Sequence, residues 1–233
     1  MALEKIRVTS LAHIHYQHPD LEKAVAFFSD FGFIEAHRDA TKIYLRGCGA
    51  QLYIYVAEQS PDDKRHFIGA YWVVASLEEL QKAAAYRNAS QIRDNVGYGN
   101  GKVVTTKDPN GFIVGFLYGQ TLRTPTIDEL RLNLETSVPT PNSVAKKLRK
   151  GNTRRFRRGP SPVYKLGHYG IIVPKDRYEE TLNWYTTILN LKPTDAIFDP
   201  QTNKEVTCFA HIDLGADYTD HHVSIAIIIL SAV

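Results

Sequence analysis

The chain reads as an α+β protein built from repeated βαβββ modules. Two observations predict this. Within each stretch of about 55 residues the apolar periodicity passes from that of a strand to that of a helix and back to strands. The same order then recurs, once from Phe67 and again from Leu166. One complete two-module domain over residues 8–119 is expected, then a connector over 120–165, then a lone third module over 166–233.

The first module starts with LAHIHYQH as a strand, and Asp20 is placed to cap a helix whose Leu21, Ala24, Val25 and Phe28 share one face. Gly32 stops that helix. TKIYLRG and AQLYIYVAE follow as strands, with Gly47 to Gly49 as the turn between them. In the second module IGAYWVVA is the strand, and Ser76 with Glu79 forms a capping box for LEELQKAAAYR. The hairpin VVTTKDPNGFIVGFLYG closes it, with turn residues at each position from Asp108 to Gly111.

The third module carries the most informative residues. His168 opens a strand in which Tyr169, Ile171 and Val173 put bulk on one face while His168, Gly170 and Ile172 share the other. A His beside a Gly leaves room above the sheet. Asp176 and Glu179 predict a capped helix that Tyr178, Leu182, Tyr185 and Leu189 would pin to the bulky face, with Asn190 as its left-handed end. TDAIF and TCFAHID follow as strands, and DHHVSIAI is the last. In it Val223, Ile225 and Ile227 form an apolar row, and strict alternation sends His222, Ser224 and Ala226 to the face of His168. His221 falls on the apolar side.

Composition sets the outer bounds. The 233 residues are 43% hydrophobic with a net charge of +3, which suits an ordinary globular protein. Neither a membrane span nor a secretory leader is indicated, so the expected location is the cytoplasm. Cys48 and Cys208 are too few for a disulfide framework or a zinc site and read as small buried residues. The connector holds a possible short helix, IDELRLNLE, four prolines (Pro139, Pro141, Pro160, Pro162) and the basic run KKLRKGNTRRFRR. Such a run suits phosphate contacts, but charge runs are ordinary in connectors and nothing else points to nucleic acid.

The βαβββ modules, the stretch GHYGIIVP with its following W-Y and L-N-L, the DHH strand and the DPNGFIVGF hairpin resemble the vicinal oxygen chelate superfamily. Within it the chain is most similar to two-domain extradiol ring-cleavage dioxygenases of the catechol 2,3-dioxygenase type, which implies that the sheets of paired modules face each other as open barrels. The resemblance implies Fe(II) held by two His and one carboxylate, with a small aromatic diol and O₂ as partners, no nucleic acid, no membrane, and a homo-oligomer. It implies His168 as the first metal ligand and His222 as the catalytic acid/base. In the first domain it sets His13 at the first-ligand position, with Gly69 and Gly115 where the other two ligands would stand. That domain is therefore expected to be metal-free, with His13 structural. His15, His18, His37, His66 and His211 are read as surface or rim residues.

Carried onto the DHH strand, the spacing from Gln51 to Gly69 points to a second His ligand at about position 240, beyond Val233. The closing carboxylate would lie later still. The expectation is thus a dioxygenase-like chain short of two ligands. The alternatives are a non-catalytic binding protein with Tyr53, Tyr55, Tyr71 and Trp72 lining a pocket in the first barrel, and a glyoxalase-like isomerase.

Overall fold

The structure, a computed structural model, describes residues 4–126, 129, 159–161, 163–215 and 221–227. The basic run at 146–158 and most of IDELRLNLE lie outside these residues. The first module comprises β1 (Val8–His18), α1 (Leu21–Phe31), β2 (Ile34–Arg38), β3 (Lys42–Arg46) and β4 (Tyr55–Gln59). The second comprises β5 (His66–Val74), α2 (Leu77–Ala85), β6 (Arg93–Asp94), β7 (Lys102–Lys107) and β8 (Ile113–Tyr118). The third holds β9 (Tyr169–Val173), α3 (Tyr178–Ile188), β10 (Leu191–Phe198), β11 (Glu205–Ile212) and β12 (Val223–Ile227).

The first two modules form one eight-stranded sheet in the order β2-β3-β4-β1-β5-β8-β7-β6. Each half has its first strand parallel to its last, β1 with β4 and β5 with β8, and the antiparallel pair β1·β5 joins the halves. The third module repeats one half, β10-β11-β12-β9, with β12 parallel to β9. This is a mixed α+β architecture of βαβββ units. Among the described residues β9 is a sheet edge, whereas its counterpart β1 is central.

Local sequence accounts for the helix ends with two exceptions. Asp20 accepts from Lys23 N at 2.9 Å, and Gly32 takes the left-handed conformation that ends α1. Ser76 accepts from Glu79 N at 3.4 Å, but the Glu79 carboxylate turns to Arg7 N and Lys82 instead of completing the box. In the third module the expected Asp176–Glu179 box is absent. Pro174 leads into a 3-10 turn over Lys175–Arg177, which puts Asp176 inside the turn, and α3 starts without a side-chain cap.

Asn190 is not a left-handed helix end either. Its Oδ1 accepts from Val8 N at 2.8 Å while its Nδ2 donates to Val8 O at 3.2 Å and Asp213 O at 3.0 Å. A residue chosen by local rules for a cap is a clamp between β1 and the third module.

A continuous core crosses that junction. Trp72, Leu80, Ala83 and Phe116 from the first sheet and α2 pack with Tyr169, Ile171, Val173, Tyr185, Ile188 and Leu189. Burying several such side chains contributes about 2 kcal/mol each, so the two sheets are held by hydrophobic area as well as by Asn190. The strand predicted at AQLYIYVAE is shorter than expected, with regular pairing only from Tyr55. Just before it, Cys48 N and Gly49 N bond to Val163 O and Tyr164 O at the end of the connector. Cys48 and Cys208 are both buried and free. No helix among the described residues is long and apolar enough to cross a membrane.

Candidate functional site

Ladder register sets the two halves of the comparison in one frame. Ile14 faces Tyr55 in the parallel pair of the first module, and Tyr169 faces Val223 in the third. Ile14 N donates to Ile54 O at 3.2 Å, and Tyr169 N donates to His222 O at 3.2 Å. His168 is therefore the counterpart of His13, Gly170 of His15, His221 of Tyr53, and His222 of Ile54.

Inside the first barrel the space beside His13 is filled. The ring of Tyr71 stacks on His13 at 4.2 Å and 14°, and Tyr53 lies 4.8 Å away. Burial, with a contribution from His15, holds the His13 imidazole well below its ordinary pKa. A Cβ at Gly115 would stand 2.0 Å from the Tyr71 ring, and one at Gly69 would stand 2.1 Å from Ile113 O. Neither a carboxylate at 115 nor an imidazole at 69 fits this backbone. Tyr53 and Tyr71 therefore fill the interior as packing, and Trp72 belongs to the core against Tyr169, 5.8 Å between rings. Cavities lie elsewhere, one of about 580 Å³ beside Thr105, Lys107 and Asp108, one of about 510 Å³ between α2 and α3, and one of about 410 Å³ where Lys165, Leu166 and His222 meet Leu11 and Leu117.

The third module presents the same position open. His168 lies just before β9 and is exposed, as is Gly170. Its Nδ1 is 3.2 Å from His221 O, a group that only accepts, so Nδ1 carries the proton. Its Nε2, 3.1 Å from Ser224 Oγ, then accepts the serine hydroxyl with its one lone pair. A backbone carbonyl fixing Nδ1–H is the way metal-binding imidazoles are commonly oriented. Burial lowers the His168 pKa, partly offset by the His221 carbonyl, which favours this neutral form.

The alternation that sent His222 to this face does not hold. His222 is 5% exposed, and its Nδ1 accepts from Ile212 N at 3.2 Å inside the core. His221 is the one that turns to the open side, its ring 5.3 Å from Phe209 and its Nε2 3.0 Å from Asp195 Oδ2. The reason is that regular strand starts at Val223, so the period of two does not extend back to the two histidines.

β11 adds to the same face. Val206, Cys208, Ala210 and Ile212 are buried, which leaves Thr207, Phe209 and His211 on the other side. His211 Nδ1 lies 2.7 Å from Thr194 Oγ1. The alternation in EVTCFAHI was the signal that could have placed His211 here. His15 and His18 are not rim residues, being 8% exposed each. His15 pairs with Glu58 at 2.7 Å and His18 Nε2 meets Tyr55 Oη at 2.8 Å, since β1 is central and covered on both faces.

Among the described residues no group of three or more His, Cys, Asp or Glu side chains is placed to hold a metal ion.

No protein-family model and no curated protein sequence matches the chain. Solved structures do. Homoprotocatechuate 2,3-dioxygenase from Arthrobacter globiformis matches with a TM-score of 0.72 at 18% identity, over 98% of this chain and 62% of that one. The same enzyme from Brevibacterium fuscum, in complex with 3,4-dihydroxyphenylacetate, gives 0.72 at 18% identity over 98% and 63%. An Mn(II)-bound glyoxalase from Novosphingobium aromaticivorans gives 0.67 at 16% identity over 95% and 62%. The chain thus spans about three-fifths of the length of these proteins. The likeness shows the fold alone, one that the chain shares with these dioxygenases and this glyoxalase.

Proposed function

We propose that the chain is an extradiol ring-cleavage dioxygenase-like protein in which the open face of the third module is one wall of a site for a catechol-type diol, Fe(II) and O₂. The observation that carries this reading is His168. It stands at the position of His13, yet it is exposed beside Gly170 with the Ser224 hydroxyl, a group that a ligand can displace, at its Nε2, where the first barrel is plugged by Tyr71.

The residues described do not fit an iron centre on their own, since one imidazole of the two His and one carboxylate is present. No step through iron is therefore derived. What this chain supplies is a pre-oriented imidazole and, beside it, His221 paired with Asp195, a group suited to carrying a proton on the same face. That role passes to His221 because the packing of His222 in the core removes it from the face. The domain boundaries at 8–119 and 166–233 belong to the same proposal, as does a cytoplasmic location.

The test is anaerobic Fe(II) titration of the purified chain, then addition of catechol and air with absorbance followed for ring-fission product. The chain is expected to hold Fe(II) weakly, to lose that with His168→Ala, and to form no product unless further ligands are supplied. Product from the His168→Ala chain would overturn the assignment. The glyoxalase among the matched structures favours a second reading, a metal-dependent isomerase. Turnover of a substrate without consumption of O₂ by the Mn(II)-loaded chain would decide for it.

A further inference from the structure

We infer that the cleft between α2 and α3 is a binding site for a small amphipathic anion, a medium-chain alkyl carboxylate, whose chain lies between the helices and whose carboxylate meets Arg87 and Lys107. The site belongs to the junction of the second and third modules and does not rest on the reaction proposed above.

The cleft has two chambers. One, of about 510 Å³, runs between the helices and has Ile6, Ala85, Tyr86, Trp184 and Ile188 in its lining. The other, of about 580 Å³, lies beside β7 and has Arg87, Ser90, Thr105 and Lys107 in its lining. Tyr86, Pro109, Glu180 and Trp184 line both, so the chambers meet at a waist marked by the edge-on Tyr86–Trp184 pair, 6.2 Å between rings. Each volume lies in the range that holds a small ligand, and an apolar lining with a few convergent polar groups at a junction between units is where such sites occur.

Local hydrogen bonds hold both walls. Ala89 N donates to Tyr86 O at 3.1 Å and Asn88 takes the left-handed conformation, so the chain turns sharply where α2 ends. Ser90 N then donates to Thr105 O at 2.8 Å while Ser90 Oγ accepts from Thr105 N at 3.0 Å, which ties the turn to β7 and sets Arg87 at the same chamber as Lys107. Across the waist Asn110 Nδ2 donates to Thr181 Oγ1 at 3.0 Å and Tyr185 Oη donates to Asp108 Oδ2 at 3.3 Å, which fixes α3 against the Asp108–Gly111 turn. The cleft therefore exists before a ligand arrives, and little ordering is left for binding to offset.

Charge selects the ligand. Lys82 is held by Glu4 and Glu79 at 3.0 Å each, and Glu180 pairs with Arg177 at 2.7 Å, so the charges around the apolar chamber are already answered. Asp108 is 5% exposed and accepts from Asn110 N, Phe112 N and Tyr185 Oη, which encloses its carboxylate. Arg87 and Lys107 are exposed, and among the described residues neither has an ion-pair or hydrogen-bond partner. The polar chamber thus carries two unanswered cations and favours an anion, which the Arg fork can hold through parallel N–H donors. The other chamber favours hydrocarbon. A rigid ring fills one chamber only, whereas a flexible chain passes the waist and reaches both.

Titration of the full chain with decanoate, kept below the concentration at which it forms micelles, tests the site by tryptophan fluorescence. The chain has two tryptophans and Trp72 is fully buried in the core, so a ligand-dependent change reports Trp184 at the waist. The expected result is a saturable change at one ligand per chain, with decanol, which lacks the charge, weaker by about tenfold or more. Arg87→Gln combined with Lys107→Gln should weaken decanoate about tenfold and leave decanol unmoved, and both positions are exposed, so the fold tolerates the change. Ala85→Phe, also at an exposed position, fills the apolar chamber and should abolish the response to both probes. Lys64→Gln removes an exposed charge outside the cleft and should leave both titrations unmoved. No saturable change, or a decanoate affinity that the double variant leaves intact or that Lys64→Gln lowers as much, would overturn the site. Full binding by the Ala85→Phe chain would overturn it too, by placing the alkyl chain elsewhere on the molecule. None of these results depends on whether catechol is cleaved.

Discussion

The eight-stranded and four-stranded sheets are built on one plan and diverge at the strand that joins halves and at the residue beside the first histidine. In the first sheet β5 completes the barrel and Tyr71 stacks on His13, so the interior is solid. In the second sheet β9 is an edge among the described residues, so no strand stands across the ladder from His168 as β5 with Tyr71 stands across from His13. The difference separates stability from chemistry. The plugged barrel gains aromatic packing at the expense of any ligand space, and the open face keeps a usable imidazole at the expense of a covered core.

The strongest way to break this comparison is to try to convert the plugged barrel into the open one. Gly69→His or Gly115→Glu restores a ligand type at the expected position, but the new Cβ meets Ile113 O at 2.1 Å or Tyr71 at 2.0 Å. Each substitution is expected to cost about 3 kcal/mol or more in chemical denaturation, because at 69 the backbone cannot give way cheaply and at 115 the Tyr71 ring would have to leave its stack on His13. A stable Gly69→His chain that binds a metal stoichiometrically would show that the plug is adjustable.

Next in size is the clamp. Asn190→Ala removes three hydrogen bonds and leaves Val8 N and Val8 O without these partners, at a cost of about 2–3 kcal/mol. If the shared core alone couples the sheets, denaturation stays a single transition at lower midpoint. Two separate transitions would assign the coupling to Asn190.

Acid sharpens the contrast between the two histidines. The His13 pKa is held below the ordinary 6.5, so below that pH the unfolded chain binds a proton that the folded one refuses. Stability is thus complete above about pH 6.5 and falls as pH drops toward the folded-state value, by at most about 1.4 kcal/mol per pH unit for one proton. His15 is depressed in the same direction and adds to the fall. His13→Phe should flatten the curve between pH 6.5 and 5 as measured by urea midpoints, whereas His168→Phe should change it less because His168 is more exposed.

The parts of the fold that were legible are those decided within one element. Strand and helix periods gave the modules, and Asp20, Gly32 and the Asp108–Gly111 turn behave as their local chemistry dictates. Asp108 Oδ1 accepts from Asn110 N and Phe112 N, which no distant residue needs to arrange. What stayed hidden depends on partners far along the chain. Asn190 has the composition of a cap, and only the arrival of Val8 makes it a clamp. Gly115 reads as a missing ligand, and only the Tyr71 ring explains it. The side of the His221–His222 pair was illegible because alternation has force only inside regular strand.

The finest test of that last point sets the two adjacent histidines against each other. His221 is partly exposed and its partner Asp195 more so, and a solvent-screened pair of this kind contributes about 0.5 kcal/mol or less. His221→Ala should therefore leave the denaturation midpoint almost unmoved. His222 is buried and accepts from the backbone of Ile212, itself fully buried, so His222→Ala leaves that N–H without this acceptor at a cost of about 1–2 kcal/mol. A slip of β12 by one residue would exchange the two side chains between faces and reverse the ranking. The measurement is a pair of denaturation curves under one condition. A costly His221→Ala beside a silent His222→Ala would place His222 on the open face with His168, and with it the acid/base role that the sequence assigned there.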